Sequence, residues 1–189
     1  MSAIRHPHIL HRDTSLLVVV DMQEPFLAAI HERERLTTNV RLLVQAASIL
    51  GVPAITTLQY AERMGGLVGE ISEVMPETAG SALNKLSFSC VGSEAFTAQV
   101  AGSGRRQILL CGVETHICIS QTALDLMQLG YQVHVAADAV SSRSLEKHKL
   151  GMERMRDSGV LPCAAEAAIY EWLAAAGSPE FKSVLKLVR

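Results

Sequence analysis

The sequence predicts an α/β protein, a three-layer α/β/α sandwich on a mostly parallel sheet with Rossmann-like topology. Three observations predict it. Apolar runs alternate with segments of helical spacing along the chain. The first run, "LLVVVD" at 16–21, is continuously apolar, the pattern of a strand buried on both faces and so of a parallel sheet. No Pro/Gly/Ser-rich linker divides the 189 residues, 49% of them hydrophobic, and that length suits one domain with a sizeable core.

The remaining elements follow in order. "LTTNVRLLVQAASILG" (36–51) places Val40, Leu43, Val44 and Ala47 on one helical face and ends at Gly51. "VPAITTL" is the second strand, with Pro53 at its start, where a missing N–H does least damage. "KLSFS" (85–89) is a weaker third. "SEAFTAQVAG" (93–102) is a helix with Ser93 as its cap. "RQILLCG" is the fourth strand, "CISQTALDLMQLG" (118–130) a helix closed by Gly130, and "YQVHVAAD" the fifth strand. "SLEKHKLGMERMRDSG" (144–159) is a charged amphipathic helix. "AAEAAIYEWLAAAG" and "SPEFKSVLKLV" are two terminal helices, whose Trp172 and Leu173 cover either the core or an interface. Right-handed crossovers are expected to join the strands. Residues 60–80 form a long irregular segment, and such segments are usually functional or disordered. Residues 1–13 read as an N-terminal arm in which His6, His8 and His11 are solvated or loosely packed.

Composition argues against several classes. With 19% charged residues, a net charge of -2 and no basic block, nucleic acid is not an expected partner. No apolar run approaches the ~20 residues that span a bilayer, so no membrane association is expected. The first residues lack a signal-peptide pattern, which makes the cytoplasm the expected location. Cys90, Cys111, Cys118 and Cys163 show no paired framework and should stay thiols, each by default a small buried hydrophobe.

Placement moves one of them towards chemistry. Ligands of open parallel sheets bind beyond the carboxyl ends of the strands. Asp21, the Gln59–Tyr60 pair and the stretch from Glu114 to Cys118 all fall there. Cys118 begins a helix, whose dipole and free N–H groups should lower its pKa and favour a nucleophilic thiolate. The same N–H groups suit an oxyanion. A base is needed, and Asp21, at the end of a dry strand, fits if a cation such as Lys85 lies beside it. Each has a plainer role as well: Asp21 capping its turn, Lys85 solvated. Cys111 reads as core. His116 is a rival base, but two residues away on a helix its side chain diverges from Cys118. Tyr60 either lines a pocket or packs the loop.

"LLVVVDMQEPF", "LQYAERMGGLVGEI", "NKLSFS" and "ILLCGVETHICISQTALDLMQLGYQVHVAADAVSSR" together resemble the isochorismatase-like cysteine hydrolase superfamily, in particular its metal-free branch. The pairing of "VVDMQ" with "GVETHxC" is the specific part. The resemblance implies a six-stranded sheet and a triad of Asp21 as general base, Lys85 as its cationic partner and Cys118 as nucleophile. It implies a cis peptide between Val113 and Glu114, with the N–H groups of Glu114 and Cys118 forming the oxyanion hole. Gln23 and Phe26 of "DMQEPF", with Gln59, Tyr60 and His116, are the expected substrate pocket. No cofactor and no catalytic metal are expected, because "TTLQYAERMGG" lacks the Asp and His of the metal-binding nicotinamidase branch. Cys118 also argues against vinyl-ether cleavage, since the isochorismate-cleaving members lack it.

The expected activity is therefore hydrolysis of an amide, imide or similar C–N bond of a small molecule through a thioester, by a homo-oligomer. The rival is an idle oligomeric scaffold or small-molecule binder on the same fold; a thiol sensor is a further possibility. A dinucleotide enzyme fails on placement, because "GSGRR" (102–106) precedes its strand instead of following it.

Overall fold

In a computed structural model, which describes residues 5–189, the apolar run after Thr14 forms β1 (Ser15–Val20) at the centre of the sheet. Five further strands are β2 (Ala54–Gln59), β3 (Leu83–Lys85), β4 (Gln107–Val113), β5 (Gln132–Ser141) and β6 (Leu161–Cys163). Their order is β3-β2-β1-β4-β5-β6 and every pairing is parallel. Side chains alternate across β1, so one sequence feeds two cores. Leu17 and Val19 pack under α1 (Arg33–Leu50), α5 (Ala165–Leu173) and α6 (Phe181–Leu187). Leu16, Val18 and Val20 pack under α2 (Glu94–Gly102), α3 (Ser120–Gln128) and α4 (Leu145–Asp157). Each such side chain, fully buried, contributes roughly 1.5–3 kcal/mol.

Helix ends follow their sequence signals. Gly51 closes α1 at φ 69°, and the Ser93 and Ser144 hydroxyls cap α2 and α4. α1 begins three residues earlier than its apolar pattern, because its charged first turn is held by ion pairs, Arg33 to Glu24 and Arg35 to Glu32. The β6 strand was not legible as one: it has three residues with Pro162 in the middle, at the sheet edge where proline is tolerated. The third strand ends at Lys85 instead of starting there. Beyond it the chain bends, so that the Ser87 and Phe88 carbonyls accept from Lys85 Nζ.

Residues 60–80 are not featureless, since Ala61–Met64, Gly69–Ser72 and Glu77–Ala79 form short helical turns. His6, His8 and His11 are exposed, as expected of a solvated arm, but the arm is anchored between them. Leu10 is fully buried, its N–H donates to Glu171, and the Arg5 guanidinium donates to the Glu171 carbonyl. Residues 1–4 of the expected arm lie outside the described residues. Trp172 and Leu173 belong to the core beneath the sheet. No helix among the described residues is long and apolar enough to cross a membrane.

Candidate active site

The site grows from the carboxyl ends of β1, β2, β3 and β4. β1 stops where Asp21 adopts φ 52°, a left-handed turn that aims the chain away from the sheet. Beside it, β5 bulges against β4, with residues 136–139 opposite Cys111 alone, and Gly112 sits at φ 109°. A Cβ on Gly112 would lie 2.1 Å from the Val20 carbonyl oxygen, so only glycine lets β4 close on the end of β1. That contact brings Val113 and Glu114, joined by a cis peptide, alongside Asp21. The next residues, Thr115–Ile119, form a π-helical turn in which the Ile119 N–H donates to the Glu114 carbonyl at 3.2 Å. Cys118 lies in this turn, ahead of α3, and not in a regular helix as its sequence suggested. Single π turns recur at functional sites.

Lys85 Nζ donates to Asp21 Oδ2 at 2.7 Å, with both side chains essentially inaccessible (0% and 2% exposed). It also donates to Gln59 Oε1 at 2.6 Å and to the Ser87 and Phe88 carbonyls at 3.3 Å. An ammonium has three hydrogens and here faces four acceptors, so none remains for a substrate. Asp21 Oδ1 accepts from the Thr57 hydroxyl at 2.8 Å. The carboxylate is thus fixed on both oxygens and neutralised by one cation.

Asp21 and Cys118 line one cavity of about 100 Å³, with Phe26, Gln59, Phe88, Val113, Glu114, Ile117 and Arg143 completing its walls. The thiol does not have the lowered pKa its helix position suggested. Burial pushes it up, the Asp21 charge adds to this, and Lys85 opposes only in part, leaving it at about 12. Desolvation outweighs the helix terminus. Cys111 is pushed up by burial alone, in a core without any charged neighbour, and reads as packing.

The expected pocket divides. Phe26 and Gln59 line the cavity; Gln23, Tyr60 and His116 do not. Gln23 is fully buried and works as a brace: its Oε1 accepts from the Gln59 N–H at 2.7 Å, and its Nε2 donates to the Gly65 carbonyl at 2.8 Å. Tyr60 is part-exposed at φ 47°, its ring under the Arg63 guanidinium. His116 Nδ1 is bonded to the Ser142 hydroxyl at 2.9 Å, and burial lowers its pKa. Sequence reasoning missed Phe88, Ile117 and Arg143. Phe88 and Ile117 sat inside quoted motifs, and their apolar character gave no signal beyond packing. Arg143 pairs with Glu114 through its side chain and its backbone N–H. Burial works to raise the Glu114 pKa, but these bonds outweigh it and hold the carboxyl below the usual range. Among the described residues no three His, Cys, Asp or Glu side chains are placed to hold a metal ion.

A parallel α/β sandwich with a buried carboxylate–ammonium pair and a thiol on one cavity, at the carboxyl ends of its strands, defines the class. Its isochorismatase-domain sequence model matches residues 15–167, and the chain belongs to the isochorismatase family, with that family's hydrolase fold. It is 38% identical over 178 residues to the secreted isochorismatase effector Isc1 of Phytophthora sojae, covering 93% of this chain and 85% of that one. It is 35% identical over 178 residues to isochorismatase domain-containing protein 1 of Danio rerio, covering 93% of this chain but 61% of the longer relative. Among solved structures, that of the MAR1 ribonuclease from Caenorhabditis elegans superposes with a TM-score of 0.89 at 32% identity, over 95% of this chain and 91% of the other.

Proposed function

We propose that the protein is a cysteine hydrolase that cleaves an amide, imide or similar C–N bond of a small molecule. The observation that carries this reading is that Asp21, charge-paired by Lys85, and Cys118 open onto the same cavity. At a pKa of about 12 the resting sulfur is a thiol. The proton therefore leaves as sulfur attacks: Asp21 takes the Sγ proton while a C–S bond forms at the carbonyl carbon and the C=O pair moves to oxygen. The backbone N–H groups of Glu114 and Cys118, both residues of the cavity wall, donate to that oxyanion. Asp21 returns the proton to the leaving nitrogen, the C–N bond breaks, and a thioester remains. Water, deprotonated by Asp21, then releases the acid and restores the thiol. Lys85, with every hydrogen committed, acts through charge alone.

The walls of Phe26, Phe88, Val113 and Ile117 suit a compact, largely apolar acyl group. The C. elegans relative is named a ribonuclease, but the one cation on these walls, Arg143, is already paired with Glu114 and leaves a phosphate little to bind. Assembly of several copies is part of this reading, supported by Leu86 and Phe88, 69% and 57% exposed near the cavity. So is a cytoplasmic location, supported by four free thiols.

The test is intact-protein mass spectrometry after incubation with a panel of small carboxamides and imides. A transient acyl adduct on Cys118 is expected, with turnover falling by about 10⁴-fold or more in Cys118→Ala, since nucleophile deletions cost on that order. Undiminished turnover in Cys118→Ala, or RNA cleavage without any adduct, would replace this reading.

A further inference from the structure

Three consecutive residues lead into Ile117 and Cys118, and each is held by a different residue of one segment. Glu114 receives the Arg143 backbone N–H at 2.9 Å and Nε at 3.1 Å. Thr115 Oγ1 is bonded to His148 Nδ1 at 3.0 Å. His116 Nδ1 is bonded to the Ser142 hydroxyl at 2.9 Å. The fourth contact is steric. A Cβ on Gly151 would lie 2.9 Å from both N and Cα of His116, so α4 touches the backbone of the π turn directly. His148 and Gly151 share a face of α4 with buried Met152 and Met155, which anchor the helix in the core.

We propose that residues 142–151 are the positioning element of the nucleophile turn, setting where the Cys118 sulfur and the Glu114 and Cys118 amides stand relative to Asp21. This rests on the cysteine-hydrolase reading above, in which those atoms react. Ser142, His148 and Gly151 lie outside the cavity wall and act through Thr115 and His116, while Arg143, itself part of that wall, acts on the turn through Glu114. The Thr115–His148 bond is the part that can be removed without emptying the core, because His148 is half-buried and Thr115 has a close isostere.

The experiment compares His148→Phe, Thr115→Val, the double variant and His148→Asn, which restores a polar atom where Nδ1 stands. Alkylation by iodoacetamide is followed at each cysteine by peptide mass spectrometry, alongside Tm and, for an accepted amide, kcat and KM. Loosening the turn exposes a thiol that is otherwise desolvated. Cys118 should therefore label about three- to tenfold faster in either single variant while Cys111 is unchanged. kcat should fall about tenfold with little change in KM, and the double variant should match the singles because both remove one bond. His148→Asn should recover most of both effects. Unchanged Cys118 labelling in both single variants, or equal acceleration at Cys111, would overturn the proposal. The labelling arm needs no turnover, so failure to find any hydrolysed amide strikes the functional reading and leaves this one to stand or fall on the labelling ratio.

Discussion

The sheet has two polar ends, and they are built differently. At the amino ends of β1, β4 and β5 the Gln107 side chain is buried, like Lys85 at the opposite end. Its Oε1 accepts from the His11 N–H at 2.8 Å and the Thr14 hydroxyl at 2.9 Å. Its Nε2 donates to Gln132 Oε1 at 2.7 Å and to the Ile9 carbonyl at 3.0 Å. Both hydrogens and both lone pairs are spent, no group carries charge, and the N-terminal segment seals the end. At the carboxyl ends the network is just as satisfied around Lys85, yet it holds a net ion pair and borders a cavity into which a thiol faces. Buried polarity is therefore common to both ends, and what separates a seam from a site is charge next to unfilled space.

Three substitutions break or sharpen that contrast. Lys85→Met should act most strongly, because it strands the Asp21 carboxylate without its cation. Breaking a buried pair in this way costs about 3–5 kcal/mol, readable as a lower urea midpoint, and turnover should be lost with it. Combining it with Asp21→Asn should recover stability but no activity. If the double variant were no more stable than Lys85→Met, the ion pair would not be the cause. Asp21→Asn alone leaves the ammonium three oxygen partners, so it should unfold less readily than Lys85→Met while turnover falls about 10²–10⁴-fold. Its thiol should behave in the opposite sense. The Asp21 charge is one of the causes that raise the Cys118 pKa, so removing it lowers that value. In the native protein, with the thiol at about 12, alkylation should climb about tenfold per pH unit between pH 8 and 11 without a plateau. In Asp21→Asn the same curve should lie higher and bend earlier, and a lower curve would contradict the charge argument. Gln107→Leu is the mild case. It leaves the Ile9 carbonyl and the His11 N–H unpaired at an expected cost of about 1–3 kcal/mol, with kcat/KM unchanged.

Much of this was legible beforehand, and the gaps have physical reasons. β1 and β4 were plain because each is apolar at nearly every position and buried on both faces. β6 was not, since three residues with a central proline carry no period. Asp21, Lys85 and Cys118 came from strand-end placement together with the family resemblance, and the structure places Asp21 and Cys118 on one cavity with Lys85 bonded to Asp21. The expected thiol pKa went the wrong way because helix position is local and visible in sequence, whereas desolvation depends on what folds over the sulfur. Gln23 was assigned to the pocket for the same reason: the motif marks it, but only three dimensions show its amide bracing Gln59 and Gly65. Arg143 was unreadable because its partner, Glu114, lies 29 positions away.

The depth of the Lys85–Asp21 pair has one more consequence. Dissolved ions weaken an electrostatic attraction by crowding around it, over a distance of about 10 Å in 0.1 M salt, but only where they can approach. The surface pair Arg33–Glu24, with a third to two thirds of each side chain in solvent, is open to them. The inner pair is walled off, so the field felt by the sulfur in brine should be much the same as in dilute buffer.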